Sequence, residues 1–284
     1  MSLTIVTLKA FGDFVIASSA LSRVQPMIGI DSPTVVACEH VRTLALALGL
    51  NKSIKFIGDE CWTDVPAAYD IRKRGVFAAL LSLNDLRNYV NSLPASMELV
   101  FDHLGWRERY IAGQRFPQAL LAASGNIYIA YDNFFQSFGF NVLKCDPGVT
   151  HSICQAFIIP GARMAHRIIP AHVISALTSE LRQRNITSSV VVLEGESIDI
   201  PTGVQVMKLP RSFQALVNVV KGGDLIISAD SLPSHLSEFL GVPIFVLTPY
   251  PKPYWLPRSS FQTNGWATFA NIQPFRTWIS KYLN

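Results

Sequence analysis

Residues 224–248, DLIISADSLPSHLSEFLGVPIFVLT, hold a strand, a polar turn, a helix and a second strand in 25 residues. Leu225, Ile226 and Ile227 form an apolar run without alternation, followed at once by small and polar residues. That is the pattern of a parallel strand buried on both faces. Asp230 and Ser231 stand where a helix N-cap belongs, and Pro233 fits the first turn. Leu236, Phe239 and Leu240 form an apolar stripe, and Gly241 stops the helix before a strand over residues 243–247. A strand feeding a capped helix turns backbone N–H groups and the positive end of the helix dipole outward at the carboxyl edge of its sheet. This arrangement holds an anion, commonly a phosphate.

The same alternation extends in both directions. An apolar strand over residues 3–8 leads through Lys9, Ala10, Phe11, Gly12 and Asp13 into a helix over 14–24. Strands are expected at 34–38, 53–57, 99–102 and 126–131, with helices at 40–48 and 76–93. The stretch WRERYIAGQRF between the last two strands fits neither period. Residues 139–155, with Pro147 and Gly148 and no long apolar period, read as a linker. Strands then recur at 156–159, 189–193 and 204–209, with helices at 170–184 and 212–221.

The tail, residues 274–283, reads as a short helix with Phe275, Trp278, Ile279 and Tyr282 on one face. Its apolar face has two equal candidates for docking, the first domain or its own. The pattern predicts an α/β chain with two Rossmann-like domains facing each other across a cleft, over residues 1–145 and 146–270, followed by a terminal helix over 271–284.

Composition bounds the function. A chain of 284 residues is long enough for two domains, each of roughly 100–200 residues. It is 49% hydrophobic and only 15% charged, against a usual charged share of about 25%. An apolar surface meeting a partner, such as a membrane face, is therefore expected. No uncharged run reaches the roughly 18–20 apolar residues that span a bilayer, and the N-terminus lacks the regions of a signal peptide. The expected location is the cytoplasm, with a peripheral seat on the inner membrane face.

Cys38, Cys61, Cys145 and Cys154 show no CxxC or CxxC…HxxxH spacing, which favours reduced, packed thiols over metal or disulfide roles. The net charge of +4 is too small to argue for nucleic acid. Residues 1–140 balance 12 basic against 12 acidic residues, whereas 141–284 carry 12 against 8. The excess lies in the half that holds the opening stretch, as an anionic ligand there would favour.

Four groups of residues carry candidate chemistry. Asp13 follows Gly12 at a strand-to-helix turn, where it serves either as an N-cap worth about 0.5–2 kcal/mol or as a carboxylate projecting from the sheet edge. Residues 158–170, IIPGARMAHRIIP, place Gly161, Arg163, His166 and Arg167 between a strand and a helix N-terminus. The set suits a diphosphate, since guanidinium fork and dipole act on the same charge; a solvated basic loop explains it equally. Glu194 and Glu196 follow the strand VVVL, where an acid accepts hydrogen bonds from ribose hydroxyls. Asp230, Ser231, Ser234 and His235 form the turn of the opening stretch.

In this order KAFGDFVIASSAL, PGARMAHRIIP and DSLPSHLSEFLGVP, with the continuation PYPKPYWLP, resemble the motifs of glycosyltransferase family 9. These are the heptosyltransferase-like inverting enzymes of bacterial lipopolysaccharide assembly. The resemblance runs over about residues 3–257. It implies a GT-B architecture, with the acceptor held by the N-terminal domain, where Lys9 and Gly12 lie, and a nucleoside-diphosphate sugar held by the C-terminal one. ADP-sugars are among the implied donors, and a glycan or lipid-linked glycan is the implied acceptor. No cofactor or metal is implied.

By the same resemblance Asp13 matches the general base. Arg167 matches the basic residue facing the donor diphosphate, by its distance from Pro170. Asp230, Ser231 and His235 match the phosphate-side motif, and the ribose acid falls at Glu194 or Glu196. The chain departs from the pattern at Leu232, where the family has glycine, at Ile168 and Ile169 in the tryptophan region, and at Arg167 in place of lysine. A nucleotide-sugar epimerase of the same architecture is the enzymatic rival. A non-catalytic nucleotide-binding or scaffold protein is the rival from another class.

Overall fold

The computed structural model describes residues 2–7, 11–25, 34–50, 54–57, 75–94, 97–101, 105–115, 118–119, 125–143 and 152–281. The chain packs as two units, residues 1–124 with 129–144 and residues 125–128 with 145–284.

The first unit contains β1 (Ser2–Thr7), α1 (Phe11–Leu21), β2 (Val24–Gln25), β3 (Thr34–Cys38), α2 (Arg42–Ala47) and β4 (Ile54–Ile57). After these come α3 (Val76–Ser92), β5 (Met97–Phe101), α4 (Trp106–Ala112), β6 (Gln118–Ala119), most of α5 (Ile127–Ser137), and β7 (Asn141–Val142). Five strands form a parallel sheet in the order β4-β3-β1-β5-β6. The short β2 and β7 pair antiparallel.

Helix α1 buries every residue from Phe14 to Ala20. A helix covered all round is a core element, not an amphipathic surface one. Its first turn contains Asp13, so the helix starts two residues before the carboxylate and three before the expected residue 14.

One expectation fails here, and one unassigned stretch is resolved. Residues 126–131 were expected as a strand but start α5, whose buried Ile127, Tyr128, Tyr131 and Phe135 follow helical spacing. The five apolar and aromatic residues 127–131 satisfy either period when read alone. The unassigned WRERYIA is α4, where the buried Glu108 carboxylate accepts a hydrogen bond from the Gly105 amide at 3.0 Å. This satisfies the amide of the N-cap residue itself, as the N3 glutamate of a capping box does.

The second unit contains β8 (Gln155–Ile159), α6 (Ala171–Gln183), β9 (Thr187–Leu193), β10 (Val206–Leu209), α7 (Phe213–Gly222) and β11 (Leu225–Ala229). It continues with α8 (Leu232–Leu240), β12 (Ile244–Thr248), α9 (Arg258–Thr263), β13 (Trp266–Thr268) and α10 (Gln273–Ser280). Its six strands are all parallel, in the order β10-β9-β8-β11-β12-β13. This is a doubly wound sheet with its first strand in the middle.

Strands β11 and β12 are buried at every residue. The Asp224 carboxylate accepts from the amides of Cys154 and Gln155, both at 2.9 Å, and fixes the entry of β8 beside β11. Ser212 caps α7 by accepting from the Ala215 amide at 3.2 Å. Gly241 ends α8 at φ 71°, a left-handed conformation that glycine adopts without a Cβ penalty.

The tail helix α10 places Phe275, Trp278 and Ile279 in the core of this same unit. There Phe245 meets the Phe275 ring at 5.0 Å and the Trp278 ring at 5.3 Å. Of the two dockings left open by the sequence, these three residues take the one on their own unit, while Tyr282 lies outside the described residues. Cys154 is free but exposed, not packed as expected. No helix among the described residues is long and apolar enough to cross a membrane.

Candidate functional site

The winding of the second sheet reverses between β8 and β11: from β8 the chain steps outward to β9 and β10, and from β11 to β12 and β13. Loops leaving the carboxyl ends of two such strands diverge, and the gap between them is where doubly wound sheets take ligands. Here those loops carry Pro160 and Gly161 after β8, and Asp230 and Ser231 after β11.

Several predicted residues meet at this point. Ser231 is the N-cap residue of α8, but its side chain makes no capping bond. Instead its hydroxyl donates to the Gly161 carbonyl at 3.1 Å and joins the two loops. Pro233, in the first turn of α8, brings no N–H, and the Ser234 hydroxyl donates to the Ser231 carbonyl at 2.7 Å. Arg167, in a short 3-10 turn, reaches across with Nη1 at 3.3 Å from Asp230 Oδ2 and 3.5 Å from the Asp230 carbonyl. Glu196 folds back to accept from the Leu193 amide at 3.2 Å. Its carboxylate then lies over Gly161, where an added Cβ would stand 2.8 Å from Oε2.

The geometry separates the two acids that the sequence left open: Glu196 is half-buried against Gly161, whereas Glu194 is exposed. Arg163 and His166 stand exposed, with the His166 ring 6.3 Å from that of Tyr250. Gly12 and Asp13 lie in the first turn of α1 in the other unit. Lys9 falls outside the described residues.

Electrostatics divides the labour. Burial raises the Asp230 carboxyl above its usual range, and the Arg167 cation opposes that shift. Burial, and secondarily the same cation, push His235 down to about 4, so its imidazole is neutral at pH 7. Positive charge for an anion in this gap therefore comes from Arg167 and the start of α8, while His235 contributes an uncharged ring.

Three residues here had no sequence signal. Tyr128 is fully buried with its hydroxyl 3.0 Å from His235 Nδ1. Asn126 donates through Nδ2 to the carbonyls of Leu256 at 2.9 Å and Pro253 at 3.3 Å. Arg258 is 2% exposed, donates to the Tyr128 carbonyl at 3.3 Å and holds its guanidinium 5.6 Å from the Tyr128 ring centre. These partners are more than a hundred residues apart, a separation that periodicity and local motifs do not bridge. Among the described residues no three His, Cys, Asp or Glu side chains gather as a metal site.

No family model and no curated protein sequence matches the chain. Solved structures do. The chain superposes on the E. coli heptosyltransferase WaaC with ADP at a TM-score of 0.60 and 14% identity, over 99% of this chain and 100% of that one. A glycosyl transferase of family 9 from Veillonella parvula DSM 2008 aligns at 0.61 and 13% identity, over 94% and 86%. E. coli ADP-heptose lps heptosyltransferase II aligns at 0.52 and 14%, over 100% and 98%. Two doubly wound parallel units, aligned over nearly their whole length with these enzymes, give the chain the GT-B, heptosyltransferase-like fold of glycosyltransferase family 9.

Proposed function

We propose that this protein is a glycosyltransferase that takes a sugar from a nucleoside-diphosphate donor and transfers it, with inversion and without a metal, to a glycan or glycolipid acceptor in bacterial surface polysaccharide synthesis. The observation that carries this reading is the convergence of Gly161, Arg167, Glu196, Asp230 and Ser231 at the winding reversal of the second unit's sheet. Arg167 and the start of α8 take the diphosphate, and Glu196 takes the ribose hydroxyls. WaaC structures with ADP and with an ADP-2-deoxy-2-fluoro heptose make an ADP-sugar the first donor to test.

In this reading Asp13 removes the proton from the acceptor hydroxyl as its oxygen forms a bond to the anomeric carbon. The bond from that carbon to the diphosphate oxygen breaks, and Arg167 with the helix start receives the departing charge.

Cytoplasmic location with a peripheral seat on the membrane belongs to the same reading. Its support is the exposed apolar group Val76, Phe77, Leu80 and Leu81 at the start of α3, directly preceded in the chain by Arg72, Lys73 and Arg74.

The test is a thermal-shift and calorimetric screen against nucleoside diphosphates, in which a ligand at 100 times its dissociation constant adds about 2.7 kcal/mol. Stabilisation by one or more of them supports a donor site, and none at millimolar concentration removes it. Incubation with the matching sugar nucleotide then separates transfer, with at most slow hydrolysis, from epimerisation.

A further inference from the structure

His235 is neutral and therefore carries a single N–H, and the partner of one ring nitrogen decides which nitrogen that is. Its Nδ1 faces the Tyr128 hydroxyl at 3.0 Å. A phenol is a good donor and an imidazole nitrogen without its proton a good acceptor, so the favoured arrangement is O–H donating to Nδ1, with the imidazole proton on Nε2. The reverse arrangement, Nδ1–H donating to the phenol oxygen, leaves a lone pair on Nε2, which repels an anion.

The surroundings of Tyr128 hold this contact in place. Its amide donates to Asn126 Oδ1 at 3.0 Å, Asn126 is tied to the carbonyls of Pro253 and Leu256, and Arg258 grips the Tyr128 carbonyl while lying near its ring. Asn126 and Tyr128 are 0% exposed and Arg258 is 2% exposed. Polar groups this deeply buried are costly unless hydrogen-bonded, and linked bonds of this kind restrain the groups they join. The hydroxyl of the residue so held lies 3.0 Å from the ring nitrogen of His235.

We propose that Tyr128 is a positioning residue: its hydroxyl fixes His235 as the Nε2–H tautomer, so that a neutral imidazole offers an N–H donor to the donor diphosphate. This rests on the reading of the second unit as a nucleoside-diphosphate site. It adds a residue outside the motifs of that site and assigns a proton to a named atom.

The experiment reads histidine nitrogens by 15N NMR in the intact protein, together with ADP affinity by calorimetry. Wild-type His235 is expected to show a protonated Nε2 and a bare Nδ1 between pH 6 and 8. Tyr128→Phe, which keeps the ring, is expected to lose this single-tautomer signature and to bind ADP about five- to tenfold more weakly. In a His235→Ala background the same substitution is expected to cost no further affinity, because Tyr128 acts only through the imidazole. An Nδ1–H tautomer in the wild type overturns the proposal, as does an equal loss of affinity in both backgrounds. If the wild type binds no nucleoside diphosphate at all, the donor reading falls, and the wild-type tautomer, which needs no variant, decides whether Tyr128 sets His235.

Discussion

The Arg167 guanidinium stands 3.3 Å from the Asp230 carboxylate and 3.5 Å from the carbonyl of the same residue, joining the loop after β8 to the residue that follows β11. Its side chain is 39% exposed against 15% for Asp230. The exposed end of the pair is thus the cation, and the carboxylate beneath orients it.

Removing that cation tests its assignment. Arg167→Ala is expected to weaken nucleoside-diphosphate binding about ten- to hundredfold, the range for charge-assisted hydrogen bonds. Arg167→Lys keeps the charge without the fork and should fall between. Calorimetry on the two variants checks this order, and an Arg167→Ala protein with wild-type affinity would place the diphosphate elsewhere.

Acid stability should depend on His235. Its folded pKa, about 4, lies below the usual 6.5, so its contribution is complete above about pH 6.5 and is lost as pH falls through about 4. The difference corresponds to about 3 kcal/mol. Urea unfolding from pH 7 to pH 4 should show the wild type losing about that much more than His235→Gln. Parallel curves for the two would mean that His235 does not stay neutral.

The two acids after β9 should behave differently. Glu196→Ala removes the carboxylate lying over Gly161 and is expected to weaken nucleotide binding several-fold. Glu194→Ala, at an exposed position, should leave binding unchanged. Deoxyribose and ribose forms of the nucleotide give the specific check, since a ribose contact at Glu196 discriminates between them and its loss abolishes that discrimination.

Asp13→Asn is expected to keep the fold and lower kcat by about 10²–10⁴. Steady-state kinetics with the matched donor and acceptor, beside a thermal melt, separates this outcome from simple loss of a helix-start carboxylate. Near-normal turnover rules out Asp13 as the base.

The membrane seat is tested by liposome flotation. Phe77 is 85% exposed and Leu81 66%, so Phe77→Asp with Leu81→Asp should leave stability nearly unchanged while reducing binding to vesicles containing anionic lipid. Equal flotation of the wild type and the double variant removes this face from the reading.

What the sequence made legible divides by range. In the second unit the central strands β8, β11 and β12 are largely apolar runs bounded by Pro or Asp and follow from that pattern, whereas β13, only three residues long, does not. Residues 126–131 did not yield, because the short apolar run of 127–131 fits a buried strand as well as a helix until Phe135, one helical turn beyond Tyr131, is included in the period. In the site, Gly161, Arg167, Asp230 and Ser231 were visible because strand-end loops in a doubly wound sheet converge by topology. The Tyr128–His235 contact was invisible because its partners share only a tertiary neighbourhood. Ser231 was recognised as an N-cap position, but not that its hydroxyl would serve Gly161, since local capping rules omit the neighbouring loop.

That misdirected hydroxyl has a mechanical consequence. A cap bonded within its own helix would let the β8 loop and the β11 loop breathe independently. Bonded to the Gly161 carbonyl, with Arg167 spanning the same gap to Asp230, Ser231 makes the two loops open as one cooperative segment. Amide exchange in residues 161–168 and 230–235 should then share a single opening rate, and an anion bound to either loop should slow both.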